Sequence, residues 1–340
     1  MMLNGHLDTM PAGEEPGWER DPFSGDVADG KIWGRGAADM KCGVACEMYA
    51  YKYLAQLKDS LPGKVSITLV GDEETGYGRG TAYMFEQIPD QMAADCVLSA
   101  EPSGVESVNF SSKGYIQFSV SVATPGAIAG YANESESAIL IAAQIITKME
   151  ELEDIEVQLP ENMAALFANE EWLELQEYVR GEAHEGLMKS MTVDACTIQG
   201  GSLYSVVAPD CTFAGVVVYP IGCPSDDLIA RMQTIVDEHP EATLAIEAVD
   251  EPDYSDPTDE MVAILSDVIV EQGMEAPVAV PDTAISDCRY WRYDGVPGFW
   301  YGPYGEGIGG ANEYVTVDDV LHTTRVLAEA GAMYLLLNGE

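Results

Sequence analysis

Basic residues are scarce in this chain. Lys and Arg number 16 against 58 Asp and Glu, and the formal net charge of the 340 residues is −42. A surface of that sign repels nucleic acid and anionic membranes, which excludes both as partners. Long apolar runs are also missing: none approaches the roughly 20 residues of a bilayer-crossing helix. The opening MMLNGHLDTM lacks a basic stretch followed by an apolar one. No secretory signal is therefore visible, and the reading is a soluble cytoplasmic protein. The seven cysteines are odd in number and scattered, without a Cys-x-x-Cys pair. That suits buried free thiols in a reducing compartment. Cys42 and Cys46 fall at i,i+4 spacing, but small and apolar neighbours make them packing residues.

What the chain does have is core material. Hydrophobic residues make up 47% of it, enough for one large globular domain or two modest ones. The acids are spread along the whole length. They read as a solvated, halophilic coat, because at about 1 M salt the Debye length falls to ~3 Å and self-repulsion is screened. Service to a basic ligand is the competing reading.

Element patterns divide the chain. DGKIWGRG predicts a turn and strand, then a helix from about Ala38 to Lys58. KVSITLV and ADCVLSAEP predict apolar strands flanking a helix over Thr81–Glu86. Strand and helix in alternation indicate a mostly parallel sheet covered on both faces. From Lys113 the style changes. GYIQFSVSVAT alternates apolar and polar residues, as a half-exposed antiparallel strand does. Helices over Ser135–Leu152 and SDDLIARMQTIVDEH, with strands near Met191–Ile198, Cys211–Tyr219 and ATLAIEAV, describe a small α+β domain. The α/β style returns near Pro257. We therefore expect an outer domain of residues 1–112 and 253–340, with 113–252 inserted.

One histidine and five acids sit where the first strands end or turn. His6 and Asp8 are two apart in NGHLDT. On an extended segment they face the same way, so Asp8 can accept one imidazole N–H and leave the other nitrogen for a metal. Asp39 follows GRGAA, where a helix N-cap is the ordinary role. Asp72, Glu73 and Glu74 close an apolar strand in SITLVGDEETGYGRG, and Glu101 closes the next. Clustered carboxylates repel one another and a divalent cation relieves that repulsion, although an acidic turn in solvent is the plain alternative for each.

Taken together, Gly-His-x-Asp-Thr, Gly-Arg-Gly-Ala-x-Asp-Met-Lys, Asp-Glu-Glu-x-Gly and Glu-Pro-Ser, in this order, resemble the zinc metallopeptidases that include aminoacylase, acetylornithine deacetylase, succinyl-diaminopimelate desuccinylase and carboxypeptidase G (clan MH). AISDCR at 284–289 and ANEYVTVDD near the end extend the resemblance over nearly the whole chain. It implies a two-domain α/β fold: a mostly parallel α/β catalytic domain, phosphorylase/hydrolase-like, with an inserted α+β lid or dimerisation domain. It also implies paired zinc, with Co2+ or Mn2+ as alternatives. His6 and Glu101 would hold one ion, Asp39 would bridge, and Glu74 would hold the second. Glu73 would be the general base and Asp8 would orient His6. The implied reaction is hydrolysis of an amide in an N-acyl amino acid or short peptide, by a deacetylase, desuccinylase or carboxypeptidase-like enzyme that pairs through its lid as a homodimer.

The pattern also breaks. Gly309 stands where the family has a second metal-binding histidine, and Gly130 where a lid histidine holds the developing oxyanion. Ser205 and Tyr219 align with a usual Asn and Arg. His184, His239 and His322 offer no obvious substitute, though His184 lies in the acidic lid stretch, and Glu306 is a candidate oxygen donor near Gly309. The chain begins almost at the Gly-His-x-Asp motif, so the expectation is a truncated gene product lacking one sheet edge. These departures set an impaired homologue that binds a ligand, or one that merely buffers metal, against the hydrolase reading.

Overall fold

The computed structural model describes residues 1–13, 17–74 and 78–339. The chain forms two compact units, one of Met1–Ser112 with Tyr254–Glu340 and the other of Lys113–Asp253.

The first unit is built on a six-stranded sheet in the order Val278–Val280, Ser107–Asn109, Gly298–Trp300, Val97–Ser99, Met2–His6, Ser66–Val70. Its pairings are parallel except for the Trp300–Asn109 bridge. All five residues of Met2–His6 are buried, as expected for a central strand covered on both faces. Met2 pairs with Val97 on one side, and His6 with Val70 on the other. The three strands therefore end on the same side of the sheet. A smaller antiparallel sheet joins Gly305–Glu306, Tyr314–Thr316, Lys31–Trp33 and Val27–Ala28.

The helix expected from Ala38 begins at Cys42 and runs to Gln56. Ahead of it, Ala37–Lys41 makes a tight turn in which Asp39 (φ −120°, ψ 99°) and Met40 (φ −128°, ψ 34°) leave helical geometry. Glu313 holds this turn, its carboxylate accepting from the amides of Gly36, Ala38 and Asp39 at 3.1, 2.9 and 3.2 Å. Asp39 is thus not the N-cap of the helix; Lys41 occupies that position. Gly43 in the first turn is required by close approach, because a Cβ there would lie 2.2 Å from the Ala100 carbonyl.

The second unit is a four-stranded antiparallel sheet in the order Thr192–Gly200, Asp210–Tyr219, Gly114–Ala123, Ala242–Asp250. Burial alternates along Gly114–Ala123. Ile116, Phe118, Val120 and Val122 face a core shared with Ile141 and Ile145 of the Ala138–Met149 helix and with Leu228 and Met232 of the Ser225–Asp237 helix. Phe118 meets Phe213 edge-on at 6.2 Å, and truncating such a ring to Ala typically costs ~3–5 kcal/mol. Among the described residues of the chain, no helix is long and apolar enough to cross a membrane.

Candidate metal centre

His6 ends the Met2–His6 strand, Glu101 follows Val97–Ser99 by two residues, and Glu73 and Glu74 follow Ser66–Val70. These are neighbouring strands of one parallel sheet, and the crevice beyond their carboxyl ends is where such sheets place their sites. Asp39 comes in from the turn before the Cys42–Gln56 helix.

His6 is 2% exposed and Glu101 7%. His6 Nε2 lies 3.0 Å from Asp39 Oδ1 and 3.7 Å from Glu101 Oε2. The donor atoms of His6, Asp39 and Glu101 all fall within 4.8 Å of one another, the one such group among the described residues. The backbone of His6 is fixed by its N–H on Met40 Sδ at 3.3 Å. Its Nδ1 faces Asp8, 3.3 Å from the main-chain oxygen and 3.6 Å from Oδ1. The Asp8 carboxylate is otherwise engaged: Oδ1 accepts from Glu73 N at 3.2 Å and Oδ2 from Glu74 N at 3.1 Å. Glu74 stands outside the three-residue group, with its Oε1 accepting from Met10 N at 3.3 Å. Glu73 is half-buried beside it. Gly76, the glycine of Asp-Glu-Glu-x-Gly, lies outside the described residues.

The electrostatics match the crowding. Burial works against charge on His6, but Glu101, Asp39 and Glu73 overcome it and push the imidazole up to about 12. Glu101 rises to about 7 through burial, with His6 opposing and Asp39 adding repulsion. Glu74 rises to about 7 through burial and then through Asp39. Glu73 goes well above its ordinary value through burial, Glu101 and Asp287. One imidazole nitrogen and several carboxylate oxygens, converging and mutually repelling, form a donor set that fits a divalent cation of the zinc, cobalt or manganese kind.

The other positions singled out in the first unit do not join this group. Gly309 sits at φ 71° with open space where a Cβ would point, and Arg35 Nη2 donates to its carbonyl at 2.9 Å. Glu306 is exposed. His322 Nε2 is bonded to the Tyr301 hydroxyl at 2.8 Å. In the second unit, His184 is buried at the start of a short helix, and the His239 amide bonds to Val236 O. Gly130 and Ser205 are exposed there, whereas Tyr219 is fully buried, its hydroxyl donating to Asp250 O.

Several residues around the site had no role in the sequence reading. Glu313, 1% exposed, takes Arg35 Nη1 at 2.5 Å in addition to the three amides. Glu47, fully buried on the Cys42–Gln56 helix, accepts from Ala100 N at 2.8 Å and is pushed up to about 8 by burial. Asp287 accepts from Thr81 Oγ1 at 2.7 Å. The available signals were slight: Glu313 and Arg35 belong to quoted motifs, and Glu47 is an acid in the apolar run CGVACEMYA.

A family model described as peptidase family M20/M25/M40 matches residues 2–332. Succinyl-diaminopimelate desuccinylase of Cereibacter sphaeroides (strain KD131 / KCTC 12085) is 45% identical over 93 residues, 27% of this chain and 23% of that protein. The match thus spans about a quarter of that relative's length. Among solved structures, the M20 family metallo-carboxypeptidase Sso-CP2 from Sulfolobus solfataricus superposes with a TM-score of 0.78 at 16% identity, covering 98% of this chain and 84% of that one. The Bacillus subtilis YXEP protein, described as a dinuclear metal binding peptidase from the M20 family, gives 0.62 at 12% identity, covering 98% and 81%. The two-domain α/β architecture is that of these structures, and with strand ends, motif order and family model in agreement, the chain belongs to peptidase family M20/M25/M40.

Proposed function

We propose that this protein is a metal-dependent hydrolase of amide bonds in N-acyl amino acids or short peptides. The observation that carries the reading is the group His6, Asp39 and Glu101, with donor atoms within 4.8 Å of one another at the carboxyl ends of parallel strands. These three would hold a divalent ion, zinc being the first choice. Glu74, whose charge Asp39 opposes, would be the ligand for a second ion. A bound ion would polarise the scissile carbonyl and acidify water toward a pKa of ~7.

The remaining work falls to the protein. The Glu73 carboxylate takes the proton of the attacking water and delivers it to the departing amine. Burial, Glu101 and Asp287 raise its pKa above the ordinary carboxylate value, which makes it a stronger base for that transfer. The His6 amide on Met40 and the Nδ1 contact with Asp8 hold the imidazole in place. The Lys113–Asp253 unit is assigned the part of the lid, with its sheet as the surface of a homodimer. A cytoplasmic location and a high-salt habitat complete the reading.

The test is a panel of N-acetyl and N-succinyl amino acids and dipeptides in concentrated KCl with added Zn2+, Co2+ or Mn2+. Turnover should disappear with a chelator and return with metal. Glu73→Gln should lower kcat by ~10²–10⁴ while binding as much metal as the parent. A broad panel without metal-dependent turnover would overturn the proposal.

A further inference from the structure

We propose that the free edge of the Ser66–Val70 strand, together with the face of the Cys42–Gln56 helix beside it, is the docking site of a separate polypeptide that adds an extended, acidic segment as a further strand. Ser66–Val70 is the last strand of the six-stranded sheet, and among the described residues it pairs only with Met2–His6. Ser66 N bonds to Met1 O, and Leu7 N to Val70 O. In a parallel ladder of that phase Ile67 and Leu69 turn their N–H and C=O away from the partner strand. Soluble proteins guard such an edge with a charge, a proline or a bulge, or keep it short. SITLV has neither charge nor proline, and its pairing runs without a shift from Ser66 to Val70. Other edges are guarded. Val278–Val280, at the far side of the same sheet, is three residues long, and Ala242–Asp250 in the second unit is interrupted between Ile246 and Ala248.

The surroundings of the edge define what it takes. Acids outnumber bases 58 to 16 in this chain, yet from Lys41 to Lys58 the one acid is Glu47, and it is buried. The helix turns Met48, Tyr49 and Tyr53 to solvent, each at least half exposed, with Lys52 Nζ 5.3 Å above the Tyr49 ring. Two cavities lie between this face and the strand, and Tyr51 lines both. One, of about 200 Å³, has Lys58 as its only charged residue. The other, of about 340 Å³, reaches Ile67, Met84 and Met92 and has Lys64 as its only charged residue. An added strand would find main-chain partners at Ile67 and Leu69, apolar room for every second side chain, and lysines for the carboxylates between. A second copy pairing edge to edge would set these lysines against themselves, so an acidic partner is the better match.

The test is amide hydrogen exchange on the full-length protein in concentrated KCl, alone and with synthetic peptides one residue longer than Ser66–Val70 at each end. The peptides alternate Asp or Glu with Val, Ile or Tyr, and a control set carries Lys in place of the acids. None of this needs a substrate, so the outcome is independent of the hydrolase reading. The acidic set should slow exchange at Ile67 and Leu69 by about tenfold or more, and the Lys set should not. Lys58→Glu combined with Lys64→Glu should weaken binding of a labelled acidic peptide, read by fluorescence anisotropy, by about tenfold. Ile67→Pro removes an N–H that faces outward and leaves the existing ladder intact. It should weaken binding by about tenfold too, while the free protein melts as the parent does. Exchange at Ile67 and Leu69 that no acidic peptide slows, or binding indifferent to both variants, overturns the proposal. So does strong protection of these two amides in the free protein. If sedimentation then shows a dimer, the occupant is a second copy; if it shows a monomer, the chain covers its own edge.

Discussion

Two segments carry proposed metal ligands, and each is held by a buried glutamate in a different way. The turn carrying Asp39 is gripped by Glu313, which receives Arg35 and three backbone amides. The strand end carrying Glu101 is held by Glu47, which receives the single amide of Ala100. Among the described residues, Glu47 Oε2 meets no hydrogen-bond partner. A carboxylate ringed by a guanidinium and amides has what an anion needs in a dry interior; one with a single donor is better kept as a neutral acid. Burial pushes Glu47 up to about 8 accordingly. The comparison teaches that an acidic centre can be anchored by further acids, provided each is either fully supplied with donors or protonated.

The sharpest way to break the contrast is at Glu313. Glu313→Ala leaves Arg35 buried without its partner carboxylate, a class of change that costs ~3–5 kcal/mol. Urea unfolding should show that loss, and zinc affinity should drop because the Asp39 turn has lost three anchors. Stability within about 1 kcal/mol of the parent would show the pair to be dispensable.

Glu47 should respond to pH instead. Its folded value of about 8 lies above the ordinary ~4.3 of the unfolded chain. The folded state therefore keeps a proton that the unfolded state releases. Its contribution is full below about pH 4 and is lost as pH rises through about 8, at up to ~1.4 kcal/mol per unit within that window. Glu47→Gln, whose side-chain oxygen can still accept from Ala100 N, should remove this slope and stabilise the protein above pH ~8. Parallel stability–pH curves for parent and variant would contradict a protonated Glu47.

The same contrast marks how far the sequence could be read. Alternation made Gly114–Ala123 legible, because one face is packed and the other is not. The helix after GRGAA was placed too early because Asp39 and Met40 leave helical geometry in a turn whose amides Glu313, far away in the chain, holds. The strands Ser107–Asn109 and Val278–Val280 gave no signal, being three residues each and, in the first case, polar yet fully buried. His6, Asp39 and Glu101 were visible as a set because ligand chemistry demands particular side chains. The holding roles of Glu313, Glu47 and Asp8 were not, since a carboxylate accepting from a backbone N–H demands nothing of the residue that donates.

The smallest effect should come from Gly309, on the Glu313 side of the contrast. Arg35 links the two, donating to Glu313 and to the carbonyls of Gly309 and Gly310, so the loop is pinned while its side-chain position is empty space. Gly309→His must place a Cβ-bearing residue at φ 71°, which costs about 1–2 kcal/mol. Without metal, the variant should melt slightly below the parent. With zinc it should recover, because an ion bound only by the folded state stabilises by mass action, and bound zinc per chain should rise. If metal content stays at the parental level while the strain cost is measured, the space beside Gly309 does not open on Asp39 and Glu74, and an imidazole there cannot complete a second ion site.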